Sequence, residues 1–154
     1  MENTYNTKSR LTLRSQLSEL RLVSSWVETL ATEKSISDKM RFAIDLCLEE
    51  ALSNIIRHGY SSDPGHFIAV EFALIEDGEL TFFVEDDAPP FNPLGPGAAG
   101  QPVSASAIDE GKAGGQGIRL LQRFANKLSY DQLPGGNRLT IGFLIGQPRM
   151  AAEA

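Results

Sequence analysis

The sequence has 154 residues, 42% of them hydrophobic, and a formal net charge of −6 at pH 7. This length and composition suit a single globular domain with a substantial core. The acidic balance argues against non-specific nucleic-acid binding and a polybasic membrane footprint, since both need clustered Lys and Arg. A single cysteine, Cys47, excludes an intramolecular disulfide and a cysteine metal cluster. Because neither a signal-peptide core nor a membrane-length apolar segment is evident, we expect a cytoplasmic location.

The first predicted elements are a short strand and two helices. Alternating leucines predict a strand over residues 10–14, after a flexible segment at 1–9. Apolar residues at helical spacing predict a helix that starts near residue 18 and ends in a polar run. A second helix is predicted from the N-cap residue Ser37 to Gly59, with one broad apolar stripe.

The rest of the chain predicts two hairpins separated by a long connection and a helix. The predicted elements are a hairpin at 67–74 and 80–84, a lid at about 88–114, a helix at 117–125, and strands at 127–133 and 138–145. The lid stretch is rich in Pro, Gly, Ala and Ser and too long for an ordinary connection, so we expect it to be mobile. Together these elements predict an α+β fold, a two-layer α/β sandwich, over residues 10–146 with a flexible tail at 147–154.

Glu50 and Asn54 are four residues apart on the second predicted helix and therefore share a face. An amide oxygen can bind Mg²⁺, and a carboxylate one turn away can accept a proton from an attacking hydroxyl. The alternative is that both residues only occupy the solvated side of an amphipathic helix. For this pair alone, that alternative is the better one.

Asp86 follows an apolar strand, where a fixed carboxylate can accept a hydrogen bond from the exocyclic amine of adenine. The alternative is a turn aspartate, and its neighbours Glu85 and Asp87 leave the assignment within this acidic triplet open.

The glycines Gly114, Gly115 and Gly117 precede or open a predicted helix. Backbone N–H groups at such a helix start bind phosphate, although in isolation these glycines are equally typical of turns. Combined with the Glu50 and Asn54 pair, they predict a pocket for a magnesium nucleotide.

Taken in order, three segments of this sequence resemble the motifs of the GHKL ATPases, and most closely the anti-sigma-factor serine/threonine kinases of bacterial partner-switching systems. The resemblance covers residues 11–145, and its motifs begin at Glu50, Val84 and Gly114. It implies the Bergerat fold, with a mixed, mostly antiparallel sheet covered on one face by helices and a mobile ATP lid.

The resemblance also implies a role for each motif. Glu50 is the implied general base, Asn54 the magnesium ligand and Asp86 the adenine-binding carboxylate. Thr140 is expected near the adenine. The full implied ATP-binding set is Asn54, Arg57, His58, Asp86, Ala88, Pro90, Phe91, Lys112, Gly114, Gly115, Gln116, Gly117, Ile118 and Thr140.

Two positions depart from the family pattern. Ala88 stands where the family usually has glycine, and its methyl group is expected to crowd the base or restrict a positive-φ conformation. We therefore expect reduced nucleotide affinity. Lys112 is the nearest candidate for the basic residue that often precedes the third motif.

The implied function is an ATP- and Mg²⁺-dependent kinase that phosphorylates a STAS-type anti-sigma factor antagonist, sequesters a sigma factor and forms a homodimer. The alternative is a sequestering module that binds nucleotide weakly or not at all, which Ala88 and the missing arginine before the glycine motif slightly favour. The retained Glu50 and Asn54 favour the kinase. No nucleic-acid or membrane partner is expected.

Trp26 has helical spacing with Val23 and Leu30. We expect it in the core or at a partner interface rather than against a nucleotide. Cys47 is expected to be a small buried apolar residue.

Overall fold

The computed structural model describes residues 6–75, 78–92 and 115–144. Within these ranges the chain forms five strands and three α-helices. The strands are β1 Asn6–Arg14, β2 Phe67–Ile75, β3 Glu79–Asp86, β4 Lys127–Leu133 and β5 Gly136–Leu144. The helices are α1 Leu20–Glu33, α2 Asp38–Asn54 and α3 Gly115–Phe124. The predicted two-layer α/β sandwich is confirmed.

The strands form one sheet in the order β1-β2-β3-β5-β4. Every neighbouring pair is antiparallel, so the described part contains no parallel pair of the kind that a mixed sheet would include. The β2–β3 and β4–β5 hairpins confirm the two predicted hairpins. β1 begins at Asn6, earlier than the predicted start of this strand at residue 10.

Side chains alternate between the two faces of the sheet, and the inward set forms the core with the helices. Phe72, Phe82 and Phe143 are fully buried on this inner face. The ring centroids of Phe72 and Phe82 are 5.5 Å apart, and those of Phe82 and Phe143 are 6.1 Å apart. The outer face instead carries ion pairs, such as Arg138 Nε with Glu85 at 2.7 Å. The alternation that predicted the strands therefore also separates the core from the solvated face.

Helix α2 starts as the sequence predicts, because the Ser37 side chain accepts a hydrogen bond from the N–H of Met40 at 3.1 Å. The α-helical part ends at Asn54, and a π-helical turn, Ile55–Gly59, follows it. The helical run thus extends to the predicted end at Gly59, but its last turn is wider than an α-helical turn.

Trp26 packs inside the molecule. Its ring meets Phe82 edge-on, with centroids 6.0 Å apart, and its Nε1–H donates to the Ser9 hydroxyl at 2.7 Å. This packing against the core agrees with the expected core or interface position of Trp26. Cys47 is fully buried, as expected, and burial raises the pKa of its thiol to about 12, with a smaller contribution from Glu50.

Three predicted segments lie wholly or partly outside the described residues. They are the N-terminal segment at 1–9, of which residues 1–5 lie outside, the lid at about 88–114, of which residues 93–114 lie outside, and the whole tail at 147–154. Within the described part of the chain, no helix combines the length and the apolar character that crossing a membrane requires.

Candidate functional site

Helix α2 brings Glu50 and Asn54 to one face, one turn apart. Asn54 is only 5% exposed, so the alternative that this pair simply faces solvent does not hold for the amide. Glu50 is half-buried. Among the described residues, neither side chain has a hydrogen-bond partner. Within the described part of the chain, the amide and the carboxylate therefore have donor and acceptor capacity that a ligand can use.

The second polar group lies at the end of β3, on the inner face of the sheet. Asp86 is paired with Ile68 of β2 and with Asn137 of β5. Its Oδ1 accepts hydrogen bonds from the Ala88 N–H at 2.9 Å and from Asn137 Nδ2 at 2.8 Å. Its Oδ2 accepts none from the described residues. Asp86 thus presents one oriented, unused acceptor, which suits an exocyclic amine.

Burial dominates the electrostatics of Asp86. It raises the pKa of the carboxyl above the ordinary value of 3.8, while the hydrogen bonds from Asn137 and Ala88 act in the opposite direction. The negative charge of Asp87 adds a smaller upward shift. The two donors therefore offset part of the cost of keeping a charge at this half-buried position.

Asn137 is the main residue of this site that sequence reasoning missed. It is 3% exposed. Besides Asp86, its Nδ2 donates to the carbonyls of Ala88 at 3.1 Å and Pro89 at 3.2 Å. Its Oδ1 accepts from the Phe91 N–H at 3.1 Å and from the Tyr130 hydroxyl. The sequence places Asn137 in the turn before the predicted strand at 138–145, where asparagine is common, so the local pattern carried no signal of this role.

Gly136 explains how Asn137 reaches this position. A Cβ atom at Gly136 would overlap the backbone carbonyl of Asp86. Only glycine allows β5 to approach the end of β3 so closely, and this approach places the next residue, Asn137, directly opposite Asp86.

Thr140 does not join the site. It pairs with Phe83, whereas Asp86 pairs with Asn137, three positions earlier on β5. An odd number of residues along a strand changes the face, so Thr140 lies on the outer face of the sheet, away from Asp86. The structure therefore corrects the expected position of Thr140, and Asn137 takes the place beside the carboxylate.

Ala88 is buried, at 4% exposure. Among the described residues other than glycine, positive φ angles occur only at Ser35, Ser61 and Ser62. The backbone of Ala88 is therefore not strained, and that part of the case for reduced nucleotide affinity does not hold.

The remaining implied residues of the first two motifs lie near the same region but differ in exposure. Arg57 and His58 are exposed in the π-helical turn after α2, and the His58 ring centroid lies 6.2 Å from that of Phe91. Pro90 is exposed and Phe91 half-buried. These side chains border the site without forming its buried part.

The third motif opens helix α3. Gly115, Gln116, Gly117 and Ile118 form its first turn, and their side chains are not among those described. Lys112 and Gly114 lie outside the described residues. Helix α3 packs on α2, where the Cys47 thiol lies 3.8 Å from the Leu120 carbonyl. The N–H groups at the start of α3 therefore lie in the same helical layer as Glu50 and Asn54.

The donor set fits Mg²⁺ held together with phosphates better than a metal held by protein alone. No cluster of three or more His, Cys, Asp or Glu side chains suited to a metal occurs among the described residues. Mg²⁺ commonly takes one or two protein oxygens and completes its octahedron with water and phosphate. The amide of Asn54, which has no hydrogen-bond partner among the described residues, meets that need.

A groove of about 490 Å³ runs past the Asp86 turn on the outer face of the sheet. Arg10, Phe67 and Leu133 line it, and Asp86 also contributes to its wall. Neither Glu50 nor Asn54 is among its described lining residues. We therefore assign the functional site to the inner face, where the two polar groups lie.

Comparison with known proteins agrees with this geometry. Residues 13–143 match the family described as "Histidine kinase-like ATPase domain". A serine/threonine-protein kinase, BtrW of Bordetella bronchiseptica, is 33% identical over 117 residues, which are 75% of this chain and 79% of that protein.

Two solved structures share the fold. The RsbU and RsbW domains of Rv1364c from Mycobacterium tuberculosis match 89% of this chain with a TM-score of 0.54 and 18% identity. A blue-light activated histidine kinase of Erythrobacter litoralis matches 68% with a TM-score of 0.50 and 21% identity. The matches span only 32% and 30% of those longer chains. The chain thus belongs to the histidine kinase-like ATPase domain family, the GHKL type that its three motifs resemble.

Proposed function

We propose that the protein is an ATP- and Mg²⁺-dependent protein serine/threonine kinase and anti-sigma factor of a partner-switching module. The observation that carries this proposal is the pairing, one helical turn apart, of a half-buried Glu50 with a buried Asn54 whose side chain has no hydrogen-bond partner among the described residues. A domain that only bound nucleotide would need the amide but not the carboxylate beside it. The 33% identity to a serine/threonine-protein kinase supports the same choice.

Each residue has a defined task in this proposal. Asn54 would hold Mg²⁺ through its amide oxygen, and the ion would supply positive charge that stabilises the phosphoryl group during transfer. Glu50 accepts the proton of the substrate hydroxyl. Asp86 Oδ2 accepts a hydrogen bond from the exocyclic amine of adenine. This hydrogen bond distinguishes adenine from guanine, because guanine has a carbonyl at that position. The first turn of α3 donates backbone N–H groups to the phosphates.

The proposed protein substrate is a STAS-type anti-sigma factor antagonist, phosphorylated on Ser or Thr. The proposed second partner is a sigma factor, which the protein sequesters in the alternative complex. We further propose a homodimer in the cytoplasm. These partners follow from the family resemblance and from the relationship to BtrW.

The test begins with calorimetric titration of the protein with ATP, with and without Mg²⁺, beside the Asn54→Ala and Asp86→Asn variants. The protein is then incubated with radiolabelled ATP and a candidate antagonist. We expect magnesium-dependent binding that both variants lose, and label on an antagonist serine or threonine. The matched control is Glu85→Gln, which changes a carboxylate on the outer face of the same strand. If wild type binds ATP no better than the two variants, the protein is a sequestering module and the kinase proposal fails.

A further inference from the structure

The chain leaves α2 through a π-helical turn, Ile55–Gly59, that begins directly after Asn54. The Tyr60 N–H donates to the Ile55 carbonyl at 2.9 Å, five residues back. Each residue rotates a helix by about 100°, so the additional residue in this turn redirects the side chains that follow. The buried ring of Tyr60 consequently reaches the turn at residues 86–88.

The Tyr60 hydroxyl holds Asp87 at two points. It donates to Asp87 Oδ1 at 2.6 Å and accepts from the Asp87 backbone N–H at 3.0 Å. The His66 ring stacks on Tyr60, with centroids 4.5 Å apart and an interplanar angle of 13°. Burial, together with the hydrogen bond to Asp87, raises the pKa of the Tyr60 phenol far above its usual range. The phenol therefore remains a donor at physiological pH.

Asp87 lies between Asp86, which carries the base-binding acceptor, and Ala88, which helps to orient it. The Ala88 N–H donates to Asp86 Oδ1. The π-helical turn and the turn at residues 86–88 also lie close together, because a Cβ at Gly59 would be 3.5 Å from the Ala88 methyl carbon. A fixed Asp87 therefore fixes the Asp86 carboxylate relative to the end of α2, without Tyr60 itself having to touch a nucleotide.

We propose that Tyr60 is a positioning residue that sets the separation between the adenine-binding half of the site, at Asp86, and the magnesium-binding half, at Asn54. The inference rests on the proposed function, since it concerns a nucleotide that occupies both halves. Two half sites held at a fixed separation bind one linked ligand more tightly than two that move independently, because folding has already ordered them. Adenosine, which lacks phosphates, occupies only the adenine half, so the fixed separation of the two halves does not increase its affinity.

The test is the Tyr60→Phe variant, which removes only the hydroxyl and keeps the ring that stacks on His66. MgATP is titrated by calorimetry and adenosine by ligand-observed NMR. We expect the affinity for MgATP to fall about tenfold, the effect of losing a hydrogen bond to a charged group. The affinity for adenosine should fall less than about twofold. An equal loss for both ligands, or no loss for either, would overturn the inference.

The matched control is Tyr130→Phe. The Tyr130 hydroxyl bonds to Asn137, which holds Asp86 directly within the adenine half. Its loss should weaken MgATP and adenosine by the same factor. Melting followed by circular dichroism shows whether each variant is folded.

If Tyr60→Phe does not fold, Asp87→Ala tests the same inference, because it removes the acceptor and leaves Tyr60 in place. The same selective loss of MgATP affinity is expected, and an equal loss for both ligands again contradicts it. Wild type that binds no MgATP would refute the proposed function as well as the inference. If wild type binds MgATP but the variants show no selective loss of MgATP affinity, only the inference is refuted.

Discussion

The two halves of the candidate site differ in how their polar groups are satisfied. In the adenine half, Asp86, Asn137 and Tyr130 belong to a network of hydrogen bonds within the protein. In the magnesium half, the Glu50 and Asn54 side chains make no hydrogen bond to a described residue. The first half is therefore ordered by folding, whereas the second offers groups for a ligand to satisfy.

This difference separates the consequences of substitution. A change in the adenine half disturbs partners inside the protein, so it should alter stability as well as nucleotide binding. A change in the magnesium half removes a group that makes no hydrogen bond to a described residue, so it should alter chemistry or binding with little effect on stability. Four predictions test that separation.

The largest effect is expected for Glu50→Gln. Losing the general base should lower the rate of phosphotransfer by about 10²- to 10⁴-fold. MgATP affinity should stay within about twofold and the free energy of unfolding within about 0.5 kcal/mol, since no described residue depends on the carboxylate. Steady-state phosphotransfer, calorimetry and urea denaturation measure the three quantities. Glu49→Gln, an exposed neighbour, is the control and should change none of them. A large loss of stability in Glu50→Gln would contradict the comparison.

Asp86→Asn should weaken ATP binding by about ten- to a hundredfold, because the base loses a charged acceptor. The same variant should melt at a higher temperature near pH 7. Folding raises the pKa of the carboxyl above 3.8, so the protonated carboxyl contributes to stability below pH 3.8. This contribution is lost as the pH rises through the raised pKa. The thermal advantage of the variant should therefore shrink on acidification. Equal melting temperatures across the pH range would show that the burial of Asp86 carries no such cost.

The elements of this fold were predictable because each carries a local pattern. Strand alternation, the helical stripe and the Ser37 cap all act within a few residues. The Glu50 and Asn54 pair was predictable for the same reason, since helical spacing alone puts them on one face. Asp86 was predictable only as a candidate, from its place after an apolar strand.

The position of Thr140 and the role of Asn137 depend on information that is not local. Both follow from the register between β3 and β5, which are separated by a long connection in the sequence. A shift of one residue in that register would reverse the two faces. The close approach at Gly136 fixes the register, but its requirement for glycine is evident only from the partner strand.

Asn137→Ala tests the adenine half directly. The substitution leaves the Phe91 N–H and the Tyr130 hydroxyl without their acceptor, and Asp86 without one donor. We expect the free energy of unfolding to fall by about 2–4 kcal/mol and ATP affinity to fall about tenfold. The same substitution in the other half, Asn54→Ala, should cost less than about 1 kcal/mol of stability, since its amide has no described partner. Urea denaturation of the two variants side by side gives the comparison, and equal losses would contradict it.

The smallest effect is expected for Ala88→Gly, which restores the residue that the family usually has. The sequence alone suggests a gain in affinity, because the methyl group was expected to crowd the base or strain the backbone. The structure instead gives Ala88 a negative-φ backbone and a buried methyl group within the ordered half. Glycine there should loosen the turn and lower stability by about 0.5–1 kcal/mol, while ATP affinity changes less than about twofold. A several-fold tightening of ATP binding, measured by calorimetry, would mean that the methyl group does crowd the base and that the adenine half is not fully formed by folding.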